Sequence, residues 1–212
     1  MEWFLLTGQP QTGKTTVINK TIENINEEFN KDNNKHTALE IRGFLTDEKV
    51  NKKNGQRIGF DLRTIPDNKS MTFANKTIKT KFKTGKYFVD PSVLDTFGVD
   101  SISNSNNSVY IIDEIGRMEM HSEKFQQRIK DMLNDKKTIV IGTVAAPRYG
   151  HVVPLAEAIK KNPRVHVYHI KKSTRDDVLL QFKNDVINYL KKNAHKLLIQ
   201  HQLKNNDKKR KR

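Results

Sequence analysis

Five times along this chain a short apolar run gives way to a stretch with helical spacing, and this alternation restricts the fold more than any other feature. The runs are Trp3 to Thr7, Ala38 to Ile41, Val109 to Asp113 ("VYIID"), Thr138 to Val144 ("TIVIGTV") and Val165 to Ile170 ("VHVYHI"). Several are continuously apolar rather than alternating, which suits strands covered on both faces. Between them, Thr15 to Phe29 places Val17, Ile18, Ile22, Ile25 and Phe29 at helical intervals, and His121 to Leu133 does so with Phe125, Ile129, Met132 and Leu133. Pro91 to Phe97 starts a helix that Asp90 can cap, and Pro154 to Lys161 starts another with proline in its first turn. A long helix follows Val165 to Ile170, the fifth central strand; Ser173 or Thr174 can cap it, and Asp176 and Asp177 sit in its first turn. The pattern predicts an α/β domain: a mostly parallel five-stranded sheet with helices on both faces. Ligands of such sheets sit at the carboxyl ends of the strands.

Residues 43–90 differ. "GQRIGFDLRTI", "KTIKTKF" and "GKYFVD" are short β-like runs broken by glycine and polar clusters, after a second strand that ends at Gly43. They read as a small antiparallel excursion within one domain spanning 1–192. Asn30 to Lys35 is a polar connection and Ser101 to Ser108 a loop or insertion. With 212 residues the chain is long enough for one well-buried domain and hardly two.

The net charge of +15 invites a nucleic-acid reading, but its distribution is uneven. Residues 191–212 hold nine Lys or Arg against Asp207, a net +8, which leaves +7 for residues 1–190. Blocks of like charge repel and seldom order, so 193–212 reads as a solvated, disordered tail. Nucleic acid is expected only through that tail, whose "KKRKR" also resembles a nuclear address. Cysteine is absent, which removes disulfides and thiolate chemistry and fits a reducing compartment. No apolar run approaches the ~18 residues of a membrane span, and no basic flank precedes "MEWFLL". An intracellular protein, cytoplasmic or nuclear, is expected, and no coiled-coil heptad argues against a monomer.

Chemistry is concentrated at two strand ends. "GQPQTGKT" (Gly8, Gln9, Pro10, Gln11, Thr12, Gly13, Lys14, Thr15) matches G-x-x-x-x-G-K-[ST] between an apolar strand and a helix. The two glycines let backbone N–H groups turn inward around a phosphate, and the helix adds the positive end of its dipole. Lys14 can reach β- and γ-phosphates, and the Thr15 hydroxyl can ligate Mg²⁺. The second end is "VYIIDEIGRMEM", where Asp113 can hold the same Mg²⁺ and Glu114 can orient or deprotonate a water. Arg42, Arg57, Arg117, Arg148 and Arg175 are candidates for charge stabilisation. Arg117 is best placed for phosphates, and Arg175 can stack on a nucleobase. The seven histidines have no metal spacing, and His166 and His169 read as packing or surface groups.

These segments together resemble the cancer-related nucleoside-triphosphatase family. The shared features are "FLLTGQPQTGKTT", "RGFLTDEKV", "GQRIGFDL", "GKYFVD", "VYIIDEIGRMEM", "TIVIGTV…P" and "STRDDVL", across about residues 3–180. Leu45 stands where that family usually has an aromatic residue. The resemblance implies a P-loop NTPase three-layer sandwich. It also implies slow hydrolysis of several nucleoside triphosphates (ATP, GTP, CTP, UTP or TTP) to diphosphate and phosphate with little base preference. The nucleotide-binding segments it implies are Gly8 to Thr15 and Val109, Tyr110, Ile111, Ile112, Asp113, Glu114, Ile115 and Gly116, with Glu114 as the water-activating acid. Two other readings compete. A nucleotide or nucleoside kinase would use the 43–90 excursion, with Arg57 and Arg63, as a lid over an acceptor. A nucleic-acid-associated switch would use the basic tail.

Overall fold

The computed structural model describes residues 1–30, 39–103 and 108–210, with side chains as far as Asn193. Its nine strands form one mixed sheet. They are β1 (Trp3–Thr7), β2 (Glu40–Val50), β3 (Arg57–Ile65), β4 (Ser70–Asn75), β5 (Lys83–Thr84), β6 (Tyr87–Val89), β7 (Ser108–Ile115), β8 (Ile139–Val144) and β9 (Val165–His169). The spatial order is β5-β6-β4-β3-β2-β7-β8-β1-β9. From β2 to β9 every pairing is parallel, and from β2 outward to β5 every pairing is antiparallel.

The expected five-stranded, mostly parallel sheet with a small antiparallel excursion is therefore corrected to one mixed sheet of nine strands. Five strands are parallel, but the 43–90 segment extends the same hydrogen-bonded sheet. The cause is β2, which runs straight through Gly43. Its first half pairs with β7 (Glu40↔Ser108 to Phe44↔Ile112), and from Gly43 onward it also pairs with β3 (Gly43↔Ile65 to Val50↔Arg57). Gly43 has φ +129°, and a Cβ there would stand 1.9 Å from the Ile111 carbonyl oxygen. The glycine serves close backbone approach, not termination. "KTIKTKF" is not a strand; β4 lies just before it. Val165–His169 is an edge strand rather than a central one, and two of its five residues are exposed.

Side chains alternate across the strands into two apolar layers. Phe4, Leu6, Val109 and Ile111 meet Val17, Ile18 and Ile25 of α1 (Lys14–Phe29) and Phe182, Val186 and Leu190 of α6 (Arg175–Arg210). On the other face Trp3, Leu5, Tyr110 and Ile112 meet a helical segment made of α2 (Pro91–Val93), a π turn (Leu94–Gly98) and α3 (Val99–Ser101). The same layer includes α4 (Glu123–Asn134) and α5 (Pro154–Lys160). Each fully buried large side chain contributes about 1.5–3 kcal/mol. Caps match the local sequence: Asp90 accepts from Ser92 N at 3.0 Å, and Ser122 Oγ accepts from Phe125 N at 2.9 Å. The backbone of α6 is helical to Arg210. The side chains of the expected tail, most of Asn30 to Lys35, Ala38, and residues 104–107 of the Asn-rich stretch lie outside the described residues. None of the described helices is long and apolar enough to cross a membrane.

Candidate active site

The site stands at the carboxyl ends of β1, β7, β8 and β2. After β1 the chain turns through Gly8 to Gly13 into α1. Gly13 is left-handed (φ +95°) and occupies the N-cap position, with no side chain capping the helix. The first amides of α1 are thus left without side-chain partners at the loop, as an anion cradle requires. Thr12 Oγ1 donates to Gln9 O at 2.9 Å, bracing the loop from within. Lys14 bends back over it, its Nζ donating to Gly8 O at 3.0 Å and standing 3.7 Å from Glu114 Oε2.

The acidic side comes from an irregularity in β7. Ile112 pairs with Gly142 and Ile115 with Val144, so β7 spends three steps where β8 spends two. A bulge of this kind re-aims side chains, and here it turns both Asp113 and Glu114 toward the loop. Asp113 is 3% exposed. Its Oδ2 accepts from Thr15 Oγ1 and its Oδ1 from Thr143 Oγ1, both at 2.6 Å, while its carbonyl accepts from Thr46 Oγ1 at 2.5 Å. Burial pushes the Asp113 carboxyl upward, opposed by the hydroxyls of Thr143 and Thr15. Burial also raises Glu114, opposed first by the charge of Lys14. Glu114 keeps 33% of its side chain exposed, enough to reach a solvent water.

Lys14, Thr15, Asp113 and Glu114 therefore converge. Gln9, Pro10 and Gln11 form the exposed crest of the loop, and Gln9 Nε2 reaches Pro147 O at 3.4 Å. Val109, Tyr110, Ile111, Ile112 and Ile115 are buried in the sheet, so their part is to hold the two acids in place. Arg175 lies over the loop: a Cβ on Gly13 would meet its Cδ at 2.7 Å. Arg117 is occupied elsewhere, donating to Arg148 O and His151 O at 3.0 and 3.1 Å. Arg148 lies 5.0 Å from the Tyr149 ring. Arg42 pairs with Glu40, Arg57 with Glu48 and Arg63 with Asp47, which leaves none of these three poised over the loop. His166 stacks on Phe4 at 5.0 Å, a packing role.

Three residues of the site lie within the quoted segments but received no role from the sequence: Thr46, Thr143 and Glu119. Glu119 is 4% exposed and accepts from Gly116 N at 3.0 Å. Gly116 is wedged between two carboxyls: a Cβ there would lie 2.6 Å from Glu114 Oε1 and 3.1 Å from Glu119 Oε2. The available signals were weak: a threonine inside the apolar run of β8, and a second acid in "DEIGRMEM".

Hard oxygen donors at Thr15 and Asp113 fit Mg²⁺, which takes one or two carboxylates plus phosphate oxygens and water. Among the described residues no cluster of three or more His, Cys, Asp or Glu is assembled for a metal, so a cation here would complete its shell from nucleotide and solvent.

A family model described as NTPase matches residues 3–183. The mouse "Cancer-related nucleoside-triphosphatase homolog" is 32% identical over 184 residues, which cover 82% of this chain and 90% of that protein. "Nucleoside-triphosphatase THEP1" of Thermotoga sp. (strain RQ2) is 28% identical over 192 residues, 90% of this chain and 96% of that protein. The crystal structure of THEP1 from Aquifex aeolicus superposes with a TM-score of 0.69 at 26% identity, covering 84% of this chain and 95% of that one. Its phosphate loop and paired acids thus stand within a match over most of its length, and the chain belongs to the NTPase family.

Proposed function

We propose that this chain is a Mg²⁺-dependent nucleoside triphosphatase that converts nucleoside triphosphates to diphosphate and inorganic phosphate with little preference for the base. The observation that carries the reading is the meeting of Lys14 and Glu114 at 3.7 Å beside the Thr15–Asp113 pair at 2.6 Å. With a nucleotide in the loop, Lys14 exchanges the Gly8 carbonyl for β- and γ-phosphate oxygens, and the amides at the start of α1 receive the remaining charge. Thr15 and Asp113 would hold Mg²⁺, which would supply charge neutralisation at the phosphates. Glu114 orients a water and takes its proton as the water oxygen bonds to the γ-phosphorus. The bond to the β,γ-bridging oxygen breaks and the diphosphate leaves. Arg175 offers a planar guanidinium to the base, a contact that does not read base edges.

The kinase reading is weakened because its lid candidates are fixed. The 43–90 segment is part of the main sheet, and Arg57 and Arg63 are held by Glu48 and Asp47. The test is product-resolved turnover of ATP, GTP, CTP, UTP and TTP with Mg²⁺, in the presence and absence of nucleosides and monophosphates. Free phosphate is expected from all five. Glu114→Gln keeps nucleotide binding and loses at least about tenfold in turnover. Phosphorylated acceptor without free phosphate overturns the hydrolase, and wild-type turnover in the variant removes Glu114 from its role.

A further inference from the structure

The positive charge of the folded body is concentrated in one place. Residues 49–86 hold eleven Lys or Arg against Asp61 and Asp67, a net +9. With the whole chain at +15 and residues 191–212 at +8, everything else together is slightly acidic. Four of the eleven are neutralised where they stand: Lys49 by Asp61, Arg57 by Glu48, Arg63 by Asp47 and Lys69 by Asp67. The other seven, all lysines, make no ion pair among the described residues.

Register places these seven. β2 runs parallel to β7, so its Val50 end points the same way as Asp113. β3 starts opposite that end, with Arg57 against Val50, and β4 climbs back to it, with Asn75 against Gly59. β6 sets out from the same level, Phe88 against Asn75, and β5 pairs with it through Thr84↔Tyr87. The turn carrying Lys52 and Lys53, the loop carrying Lys76, Lys79 and Lys81, and the β5–β6 hairpin, with Lys83 on β5 and Lys86 on its turn, therefore share the carboxyl edge of the sheet. That is the edge of the phosphate loop, Asp113 and Glu114. β2 continues six residues past Phe44, its last residue paired with β7, and four past Thr46, which reaches the Asp113 carbonyl, so these turns overhang that acid by roughly 13 Å. Six of the seven lysines are exposed and Lys76 is partly buried. Two partly buried rings lie among them, Phe82 and Phe88, with Lys81 and Lys83 each 5.3 Å from a ring centroid.

We propose that this lysine-lined edge is a docking surface for single-stranded nucleic acid, held by its phosphodiester backbone alongside the nucleotide site. Unpaired lysines gathered on one edge raise the potential they share, and a chain with one negative charge per residue relieves it. Phe82 packs against the core and His121, but Phe88 is in neither apolar cluster, and a ring among lysines suits an unstacked base, which is bound by its face rather than by sequence. The lysines stand on turns and a hairpin, with no helix to enter a duplex groove. The other basic segment leaves elsewhere: α6 passes the amino end of β1, where Tyr189 Oη accepts from Glu2 N at 3.0 Å.

The test uses the full chain and a labelled oligouridylate of about twenty nucleotides, longer than a typical single-strand site. Fluorescence anisotropy is read across a salt titration. Replacing Lys79, Lys81, Lys83 and Lys86 by Gln is expected to weaken binding at least tenfold at ~0.1 M salt and to flatten the log K–log salt slope by about 3. Lys52→Gln with Lys53→Gln, on the neighbouring turn, flattens it by about 1.4. Phosphate release from free ATP stays at the wild-type rate in both variants, so lost docking is distinguished from lost folding and from failure of the nucleotide site. Unchanged affinity and slope in both variants overturn the proposal. So does a loss that follows only replacement of Lys208 to Arg212. Equally tight binding of polyglutamate also overturns it, and marks the edge as a surface for an acidic protein.

Discussion

Glu119 is the residue whose chemistry reaches furthest beyond its motif. Burial, and next the charge of Glu114, push its carboxyl up to about 8 from an ordinary 4.5, although backbone N–H groups including that of Gly116 pull it down. The folded protein at neutral pH therefore holds Glu119 protonated, while the unfolded chain holds it ionised. A raised carboxyl pKa contributes stability that is complete below about 4.5 and is lost as pH rises through about 8. Across that window each pH unit costs at most ~1.4 kcal/mol. Glu119→Gln keeps an acceptor oxygen for Gly116 N and cannot ionise. Its melting temperature is expected to gain on wild type steadily from about pH 5 to about pH 8 and then to hold a constant lead. Parallel melting curves across that range would show that Glu119 titrates normally. Lys14, Thr15, Asp113 and Glu114 could be singled out in the sequence by their residue types at the ends of apolar strands, and the structure brings the four together. Thr46 and Thr143 were not legible. Each acts through one hydrogen bond to Asp113, across sequence separations of 67 and 30, and no local spacing records such a pairing.

Elements were readable where one physical signal acted alone. The apolar runs of β1, β7 and β8 and the helical spacing of α1 and α4 lie within one or two residues of their observed bounds. The reading failed where a residue type has two uses. A glycine after a short apolar run commonly ends a strand, yet Gly43 is where β2 crosses close to β7. Likewise β9 looks apolar because both of its faces are packed, Val165 in the layer of α5 and Tyr168 in the layer of α6, although among the described residues nothing pairs with its outer edge. The role of Gly43 has a measurable consequence. Ala at this position must relieve a 1.9 Å contact with backbone rather than with a flexible side chain, and must do so at a φ of +129°. Gly43→Ala is expected to cost about 3 kcal/mol in urea denaturation. Because β2 carries Thr46 to the Asp113 carbonyl, turnover should fall as well. A loss below about 0.5 kcal/mol, typical of surface substitutions, would mean that the β2–β7 contact is not tight.

At the scale of the whole molecule, the continuity of the sheet decides how it comes apart. The alternation of strands and helices implied a compact parallel core with an appendage, and an appendage would open first. In the structure the antiparallel half shares one apolar layer with the parallel half. Leu62, Phe73, Tyr87 and Val89 belong to the same cluster as Phe44, Trp3 and Phe125, and Phe44 meets Phe125 edge-on at 5.9 Å. Removing β3 to β6 would expose those side chains, so the two halves lose their burial together. One cooperative transition is expected in urea. Trp3, the single tryptophan, is fully buried in β1 and reports on the parallel half by its emission. Hydrogen exchange of β3 and β4 amides reports on the other half. The two should give the same unfolding free energy within about 1 kcal/mol, as members of one cooperative unit. Exchange in β3 and β4 at a clearly lower free energy, with Trp3 emission unchanged, would make the antiparallel half a separate unit. In that case the lysine edge would be carried by a segment able to move independently of the nucleotide site.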